Sequence, residues 1–247
     1  MLASVARQSA APREIIIADD GSRAATLEVI DSFVRAHPAA VRVVRQAHEG
    51  FRVARLRNLA IAAARCDYLV FIDGDMLLHR EFMADHARFA RRGHFTQGIR
   101  AHADAPLTTK LIEGSAKFPT ASTPGLGGLR RAYLLHSAPL SGLMRHAANS
   151  LVALKACNLG VWRADLLRIN GFDEDMVGWG PEDKELCARL THAGVRRQTL
   201  LFGGIACHLH HPPESRTALD ANLAILAATR ASRRVRASHG LDGHLRD

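Results

Sequence analysis

Two hydrophobic runs in this sequence each end in a turn rich in aspartate. Residues 13–18 read REIIIA and lead into DDGS at residues 19–22, while residues 68–72 read YLVFI and lead into DGD at residues 73–75. Uninterrupted runs of β-branched and aromatic residues are typical of strands buried on both faces of a parallel sheet. Ligands of such sheets bind beyond the carboxyl ends of the strands. The two turns therefore predict a polar site at one edge of an α/β domain.

The alternation of patterns along the chain supports that fold class. Helical and strand segments alternate as β-α-β-α-β-α-β over roughly the first 100 of 247 residues. This order predicts a doubly wound, mostly parallel, Rossmann-like sheet with helices on both faces. Residues 101–149 contain four prolines and are predicted to form an irregular, partly mobile excursion over the active face. A helix follows from residue 217, and we expect the last ten residues to be frayed.

Charge and cysteine content restrict the function classes. The net charge of +9 favours a phosphate-bearing partner or an anionic membrane surface, although a solvated arginine-rich surface explains it equally well. No basic helix carries base-reading residues, which disfavours a nucleic-acid binder. The four cysteines form no CxxC pair, as is typical of reduced thiols in a cytosolic protein.

The acidic turns carry the first chemical hypothesis. Asp73 and Asp75 could hold a divalent cation, because Mg²⁺ and Mn²⁺ favour oxygen ligands and keep positions open for phosphate oxygens. Asp19 and Asp20 could accept hydrogen bonds from a nucleobase N–H or a ribose hydroxyl. The structural alternatives are a solvated type I turn for the first pair and an Asx turn for the second.

Two further groups could complete a phosphate and metal site. Arg57 lies on a predicted helix near the same edge, where a guanidinium could make a forked contact with phosphate oxygens. His208, His210 and His211 follow the last predicted strand, and imidazole suits Mn²⁺-like ions. A surface arginine and a surface histidine cluster are the alternatives.

Residues 170–185, NGFDEDMVGWGPEDKE, place an acidic pair next to an indole. Pro181 suits the first turn of a helix, so Glu182 and Asp183 fall where the helix dipole favours negative charge. Together with Trp179, the pair predicts a place that binds a polar ligand and removes a proton from it.

Four stretches in this order, EIIIADDGS, RNLAIAAARCDYLVFIDGDM, NGFDEDMVGWGPEDKEL and HLHHP, resemble family 2 glycosyltransferases of the GT-A fold. The nearest subgroup has a galactosyltransferase-like C-terminal motif and includes chondroitin-polymerase-type domains. The resemblance covers about residues 13–100 and 155–213. It implies an inverting, metal-dependent hexosyltransferase that takes its sugar from a nucleotide sugar, most simply a UDP-sugar.

The resemblance implies which residues hold the donor. Asp19 and Asp20 would contact the uracil and ribose, and Arg57 would help to hold the nucleotide. Asp73 would touch the ribose or the donor sugar.

It also implies the metal ligands. Asp75 would bind Mn²⁺ or Mg²⁺ bridging the diphosphate, with His208 as the late ligand and His211 as its alternative. His210 stands where the family often has an aromatic residue, so the choice between the histidines stays open.

On the acceptor side, the resemblance implies that Trp179 stacks on a sugar and that Gly180 belongs to the same binding loop. Asp183 would be the catalytic base, and Glu182 would position a sugar hydroxyl. The acceptor is expected to be a glycan or a lipid-linked saccharide.

The implied organisation is one GT-A catalytic domain over residues 1–216, followed by a C-terminal helix and basic tail over residues 217–247. Residues 1–100 would bind the nucleotide sugar and residues 101–216 the acceptor. Family members normally start with a strand that precedes the first helix of this chain, so we expect the first, central strand to be missing. The alternative function is therefore a nucleotide-sugar-binding remnant without turnover. We expect a cytoplasmic protein whose residues 230–236 could touch an anionic membrane.

Overall fold

The computed structural model describes residues 1–127, 134–144, 146–148, 155–213 and 215–245. The helices are α1 Leu2–Ala6, α2 Ala24–Ala36, α3 Val53–Ala63, α4 Phe82–Phe89, α5 Ala105–Ile112, α6 Ala138–Met144, α7 Arg163–Arg168, α8 Glu182–His192 and α9 Leu219–Ser232, with a final 3₁₀ turn Leu241–His244. The strands are β1 Ile15–Asp19, β2 Val41–Arg45, β3 Tyr68–Ile72, β4 Met76–Leu78, β5 His94–Gln97, β6 Ile99–Ala103, β7 Leu126–Gly127, β8 His146–Ala148, β9 Asn158–Trp162, β10 Arg196–Thr199 and β11 Ile205–His208.

The α/β class is confirmed, but the strand pairing is mixed rather than mostly parallel. β1 and β2 form a parallel pair, and two further sheets have the orders β3-β9-β5-β10-β8 and β4-β11-β6-β7. β9 runs antiparallel to both β3 and β5, while β10 is parallel to β5 and β11 is parallel to β6. The long connection before β9 explains the difference, because a strand that returns over such a distance can enter a sheet in either direction.

The two hydrophobic strands are less buried than their sequences predict. All five residues of β3 are half-buried, as are the three isoleucines at the start of β1. In the described part of the chain β1 pairs with β2 alone, and β3 pairs with β9 alone, so each strand leaves one edge unpaired. The expectation that a first, central strand is missing stays a prediction.

The last strand of the predicted β-α-β-α-β-α-β order, expected at residues 96–100, is two strands that belong to different sheets. β5 and β6 are separated by Gly98, and the side chain of Asn158 occupies the space above that glycine. A Cβ on Gly98 would lie 2.2 Å from Asn158 Oδ1. Asn158 Nδ2 donates to the carbonyls of Ile99 and Gly204, at 2.8 and 2.7 Å, and so joins the two sheets at this point.

The region after β6 is more regular than predicted. It contains α5, β7, α6 and β8, and Asp104 caps the N-terminus of α5 by accepting a hydrogen bond from the backbone N–H of Leu107 at 2.9 Å. The prediction of an irregular excursion is therefore wrong for these segments. Residues 128–133, 145 and 149–154 lie outside the described residues.

The C-terminal residues pack against the domain, so the prediction of a frayed end is wrong for residues 238–245. Leu241 is fully buried, and its backbone N–H donates to the Asn170 carbonyl at 3.1 Å. Asn170 in turn donates to the Ala237 carbonyl at 3.0 Å. A buried leucine and paired backbone groups explain why this segment does not fray. The division at residue 216 stays a prediction, and residues 246–247 lie outside the described part.

The largest core cluster lies directly behind the acidic pair. Leu159 of β9, Leu166 of α7 and Leu186 and Leu190 of α8 belong to it and are all fully buried. Burial of each such side chain contributes about 1.5–3 kcal/mol, so the core fixes the N-terminus of α8 firmly. Within the described ranges, none of the helices combines the length and apolar character needed to cross a bilayer.

Candidate active site

The predicted metal ligands come together at the carboxyl edge of β3. β4 follows the DGD turn and runs antiparallel to β11, with Met76 opposite His208. Asp75 Oδ2 lies 3.2 Å from His208 Nε2 and 3.0 Å from His211 Nε2. One ligand atom from each of these three residues lies within 4.8 Å of the others. Both histidines that the sequence left as alternatives therefore belong to the cluster.

The chemistry of this cluster fits Mn²⁺ or Mg²⁺. One carboxylate and two imidazoles form a mixed oxygen and nitrogen donor set, in which the carboxylate suits Mg²⁺ and Mn²⁺ and the imidazoles suit transition metals. Asp75 Oδ1 is buried and has no hydrogen-bond partner in the part of the chain that the structure describes, so it has a lone pair free for an ion. Burial raises the pKa of Asp75, but the hydrogen bond from His208 and the charges of His208 and His211 together lower it. Asp75 is therefore held in the ionised form that a cation needs.

Backbone contacts fix the loop that carries these histidines. The N–H of Leu209 donates to the Asp75 carbonyl at 2.9 Å. The N–H of His210 donates to the hydroxyl of Thr108 on α5 at 2.8 Å, while the His210 side chain is exposed. His208 and His211 thus point to Asp75, and His210 contributes its backbone.

Arg57 joins the donor-side turn to the acidic pair. Its Nη2 lies 3.0 Å from Asp73 Oδ1 and its Nη1 lies 2.9 Å from Glu182 Oε1. Only 12% of the Arg57 side chain is exposed. Burial alone would lower the pKa of Arg57, but the charges of Asp73 and Glu182 raise it above its usual value, so the guanidinium stays charged. The sequence predicted a phosphate-holding role and did not predict this bridge.

The acidic pair lies at the N-terminus of α8, as predicted. Burial raises the pKa of Glu182, and Arg57 opposes that shift. Burial also raises the pKa of Asp183, opposed by Lys155 and Arg57. Asp183 is 7% exposed, and its two carboxylate oxygens accept from the backbone N–H groups of Lys184 at 2.7 Å and Ala156 at 3.3 Å. A buried carboxylate with a raised pKa is suited to accept a proton near neutral pH.

Trp179 is half-buried in the loop that precedes α8. The guanidinium carbon of Arg216 lies 5.1 Å from the centre of its indole ring. Gly178 has a φ of +78°, a conformation that glycine adopts without strain. Trp179 thus lies three residues before Glu182 with Arg216 over its ring, and its stacking on a sugar stays a prediction.

Asp19 and Asp20 occupy the predicted edge, but in different environments. Asp19 is 4% exposed, and its Oδ1 accepts from the backbone N–H of Ser22 at 3.2 Å. Ser22 is three residues on, so this contact is not the two-residue Asx turn that the sequence left open. Asp20 is half-buried, with Gln46 Nε2 at 2.7 Å from Oδ1 and His48 Nδ1 at 3.1 Å from Oδ2. Asp20 is the more accessible of the two for a nucleobase or ribose.

Sequence reasoning missed several residues at this site. Gln46 also accepts from Arg55 Nη1 at 2.8 Å, so these two residues extend the surroundings of Asp20. Gln46 directly follows β2, which is parallel to β1. Both strands end at the same edge of the sheet, so the position of Gln46 in the sequence could have indicated that it lies near Asp20. Lys155 acts on Asp183 through its charge, and Asn222 binds the Trp179 loop from α9. No local sequence pattern indicates that Lys155 or Asn222 belongs to the site.

Two protein families match this chain. Glycosyl transferase family 2 matches residues 1–138, which is more than half of the chain. The family described as the N-terminal domain of galactosyltransferase matches residues 148–212, which contain the Trp179 loop, the acidic pair and the histidines.

Characterised relatives have similar sequences over most of this chain. Validoxylamine A glucosyltransferase of Streptomyces hygroscopicus subsp. limoneus is 28% identical over 78% of the chain and 45% of its own length. Pre-mycofactocin glycosyltransferase of Mycobacterium tuberculosis is 32% identical over 74% of the chain and 34% of its own length. Chondroitin synthase of Pasteurella multocida is 23% identical over 81% of the chain and 22% of its own length. The match thus covers less than half the length of each of these relatives.

Solved structures share the fold. S. aureus TarS 1-349 in complex with UDP superposes with a TM-score of 0.62 and 15% identity, over 99% of this chain and 63% of that one. GalNAc-T7 with UDP, GalNAc and Mn²⁺ superposes with a TM-score of 0.61 and 14% identity, over 93% of this chain and 45% of that one. These likenesses confirm the GT-A fold, and with the family match they show that the chain belongs to glycosyl transferase family 2.

Proposed function

We propose that this chain is an inverting glycosyltransferase that depends on a divalent metal and moves a sugar from a UDP-sugar to a glycan or a lipid-linked saccharide. The observation that carries the proposal is the bridge at Arg57, where one guanidinium binds both Asp73 and Glu182. It brings the side of the site suited to a nucleotide next to the side suited to a sugar hydroxyl.

The donor would lie between the acidic turns. Asp75, His208 and His211 would hold Mn²⁺ or Mg²⁺, which when bound neutralises charge on the diphosphate. Asp73 and the cationic Arg57 face the same region, and Asp20 is placed to accept hydrogen bonds from the nucleoside. GalNAc-T7 and TarS, which share the fold, have been solved with UDP, and this supports the assignment of a uridine donor.

The acceptor would lie against Trp179, with the loop at Gly180 below it. Asp183 would take the proton of the acceptor hydroxyl while that oxygen forms a bond to the anomeric carbon. The bond from that carbon to the phosphate oxygen breaks, and the nucleoside diphosphate leaves with the electron pair. General base catalysis of this kind contributes about 10²–10⁴-fold to rate.

The different contacts of Glu182 and Asp183 support an inverting mechanism. Glu182 is held in an ion pair with Arg57, so it is suited to position a hydroxyl rather than to attack carbon. Asp183 binds two backbone N–H groups and carries a raised pKa, which suits a base. One base acting opposite the leaving group inverts the anomeric centre in a single displacement.

The decisive experiment is a screen of UDP-glucose, UDP-galactose, UDP-GlcNAc and UDP-glucuronic acid for Mn²⁺-dependent release of UDP. We expect hydrolysis of one donor, stimulation by an acceptor such as a p-nitrophenyl glycoside, and loss of both in Asp183→Asn. The proton coupling of the anomeric centre in the product distinguishes inversion from retention. Binding of UDP-sugars without hydrolysis, and without any effect of Asp183→Asn on it, would instead indicate a binding remnant.

We also propose a cytoplasmic location with peripheral contact at the inner face of the membrane. In the basic segment, Arg234 pairs with Asp173 and Glu185, and Arg236 pairs with Asp242 at 2.6 Å. Arg230 and Arg233 are exposed, so they would make the contact. Co-sedimentation with phosphatidylglycerol vesicles should fall when both are changed to glutamine, and equal sedimentation of the variant would contradict the proposal.

A further inference from the structure

Helix α9 supports the loop that carries Trp179 through a single buried amide. Asn222 is 2% exposed, and its Nδ2 lies 3.0 Å from the carbonyl oxygen of Val177. The same nitrogen lies 3.4 Å from the carbonyl oxygens of Gly178 and of Trp179. Three successive carbonyls of the loop thus converge on one side-chain donor.

The glycines of this loop fit against α9 with no room for a side chain. A Cβ on Gly180 would lie 2.4 Å from Asn222 Nδ2, and a Cβ on Gly178 would lie 2.5 Å from Ala218 Cβ. On its other side the loop is held by the N–H of Gly178, which donates to the Phe51 carbonyl at 2.8 Å. The loop is therefore clamped between α9 and the segment that precedes α3.

The same helix is bound to α8, which carries the acidic pair. Thr229 on α9 donates its hydroxyl hydrogen to Glu185 Oε1 at 2.9 Å, and both side chains are fully buried. Asn222 and Thr229 are separated by two turns and face the same side of α9. α9 thus contacts the loop at one end and the catalytic helix further along.

We propose that Asn222 is a positioning residue that holds the Trp179 loop in the shape that binds the acceptor. This rests on the proposed function, because it assigns the loop to the acceptor. Without the amide, three carbonyl dipoles would converge in a buried place with no donor, which is costly, so the loop would open. Among the described residues the side chain of Asn222 makes its hydrogen bonds to the Trp179 loop, so the donor side of the site should keep its affinity.

The test uses the fluorescence of Trp179 together with kinetics. The chain has two tryptophans, so Trp162→Phe leaves Trp179 as the only indole. In that background Asn222→Leu keeps the branching of the side chain at Cγ and removes the donor, and Asn222→Asp replaces the donor by an acceptor. We expect acrylamide quenching of Trp179 to rise about twofold in both variants. The KM for the best p-nitrophenyl glycoside of a panel should rise about tenfold, which is the loss of about 1.4 kcal/mol.

The hydrolysis of the UDP-sugar without that glycoside should stay within about twofold of the parent, since a shift in acceptor KM alone is what positioning predicts. Leu226→Ala is the matched control, because Leu226 lies on α9, is 6% exposed and has no side-chain donor for the carbonyls of the loop. It should lower the melting temperature without raising the acceptor KM. If Asn222→Leu lowers hydrolysis and acceptor use together, as a general loss of stability does, the proposal is wrong.

The fluorescence measurement tests the role of Asn222 independently of the proposed function. If the parent hydrolyses no UDP-sugar, the proposed function fails, while the quenching of Trp179 still tests the clamp. Unchanged quenching in both Asn222 variants would overturn the inference whatever the activity.

Discussion

Arg57 on α3 and Glu182 at the start of α8 form an ion pair of 2.9 Å although 125 residues separate them in sequence. The second arm of the same guanidinium binds Asp73 at 3.0 Å. An arginine is suited to this bridge because its planar fork presents two donors at fixed directions. The acidic turn and the acidic pair are therefore one electrostatic unit rather than two separate sites.

Arg57→Lys should disable this unit without removing its charge. A lysine ammonium cannot keep both contacts at their present geometry, so Asp73 or Glu182 loses its partner. We expect kcat/KM for UDP-sugar hydrolysis to fall about 10²-fold, in the range lost with one electrostatic contact at a reacting centre. Arg35→Lys, at an exposed position of α2, is the control and should change neither activity nor melting temperature. Activity within a factor of about two of the parent would show that the bridge is not needed.

Asp183→Asn should remove transfer while leaving UDP-sugar binding intact. An amide cannot accept the proton of the acceptor hydroxyl, so we expect a fall in kcat of about 10²–10⁴-fold. In the parent enzyme the raised pKa of Asp183 moves the acid limb of the pH–rate profile above the usual aspartate range. Titration calorimetry with UDP checks binding. A parent profile with its acid limb near pH 3.8, the ordinary aspartate value, would contradict the assignment.

The same substitution should change the pH dependence of stability. Because the pKa of Asp183 is raised in the folded state, the native protein binds more protons than the unfolded chain between the two pKa values. The free energy of unfolding therefore falls as pH rises through that window, and the full penalty is present above the folded pKa. The neutral amide of the variant carries no such penalty, so the melting temperature of the variant relative to the parent should be higher at pH 8 than at pH 4. Asp67 is exposed, so the melting-temperature difference between Asp67→Asn and the parent should change less with pH. A melting-temperature difference for Asp183→Asn that does not change with pH would contradict the raised pKa of Asp183.

The metal cluster predicts different effects for three adjacent histidines. His208→Ala and His211→Ala should each weaken Mn²⁺ binding at least about tenfold, as the loss of one ligand does, and Asp75→Asn should abolish it. His210→Ala should bind Mn²⁺ like the parent, because His210 contributes a backbone N–H to Thr108 and its imidazole does not belong to the cluster of Asp75, His208 and His211. Electron paramagnetic resonance of free Mn²⁺ measures binding without requiring activity. Weakening by His210→Ala equal to that by His208→Ala would show that the cluster is assigned wrongly.

The sequence predicts the reactive and metal-binding residues of this site better than the contacts that hold them in place. Asp75 and His208 could be predicted because each lies where a strand ends, and strand ends are marked by local hydrophobic runs. The acidic pair could be predicted from Pro181 and the helix that follows, which are also local signals. The ion pair of Arg57 with Glu182 could not, since nothing local in either segment indicates a partner 125 residues away.

Local sequence patterns do not indicate distant partners, and this also explains which predictions of the fold are wrong. Hydrophobicity patterns indicate that a segment is a strand, but they do not give its neighbour, so the antiparallel entry of β9 between β3 and β5 was missed. The sequence places Arg234 in a basic tail that could touch an anionic membrane, because its charge is visible in the sequence while its partners Asp173 and Glu185 are distant. Packing of the C-terminal segment thus depends on contacts that no short window contains.

The buried ion pair of Glu185 and Arg189 lies within α8, and Glu185 also binds Thr229 and Arg234 from the C-terminal part of the chain. Both side chains are fully buried, Arg189 Nη2 lies 2.7 Å from Glu185 Oε2, and Nη1 donates to the Ile169 carbonyl at 2.6 Å. Arg189→Met leaves the Glu185 carboxylate buried without its main partner, so the free energy of unfolding should fall by about 3–5 kcal/mol.

Denaturant titration measures this loss, and Arg230→Met on the exposed side of α9 is the control, expected within about 0.5 kcal/mol of the parent. The double variant Glu185→Gln with Arg189→Met should cost less than the sum of the single changes, because it leaves no charge unpaired at that contact. Additive costs would show that Glu185 and Arg189 do not act as a pair. A loss below about 1 kcal/mol for Arg189→Met would mean that Arg234 and Thr229 are sufficient partners for Glu185.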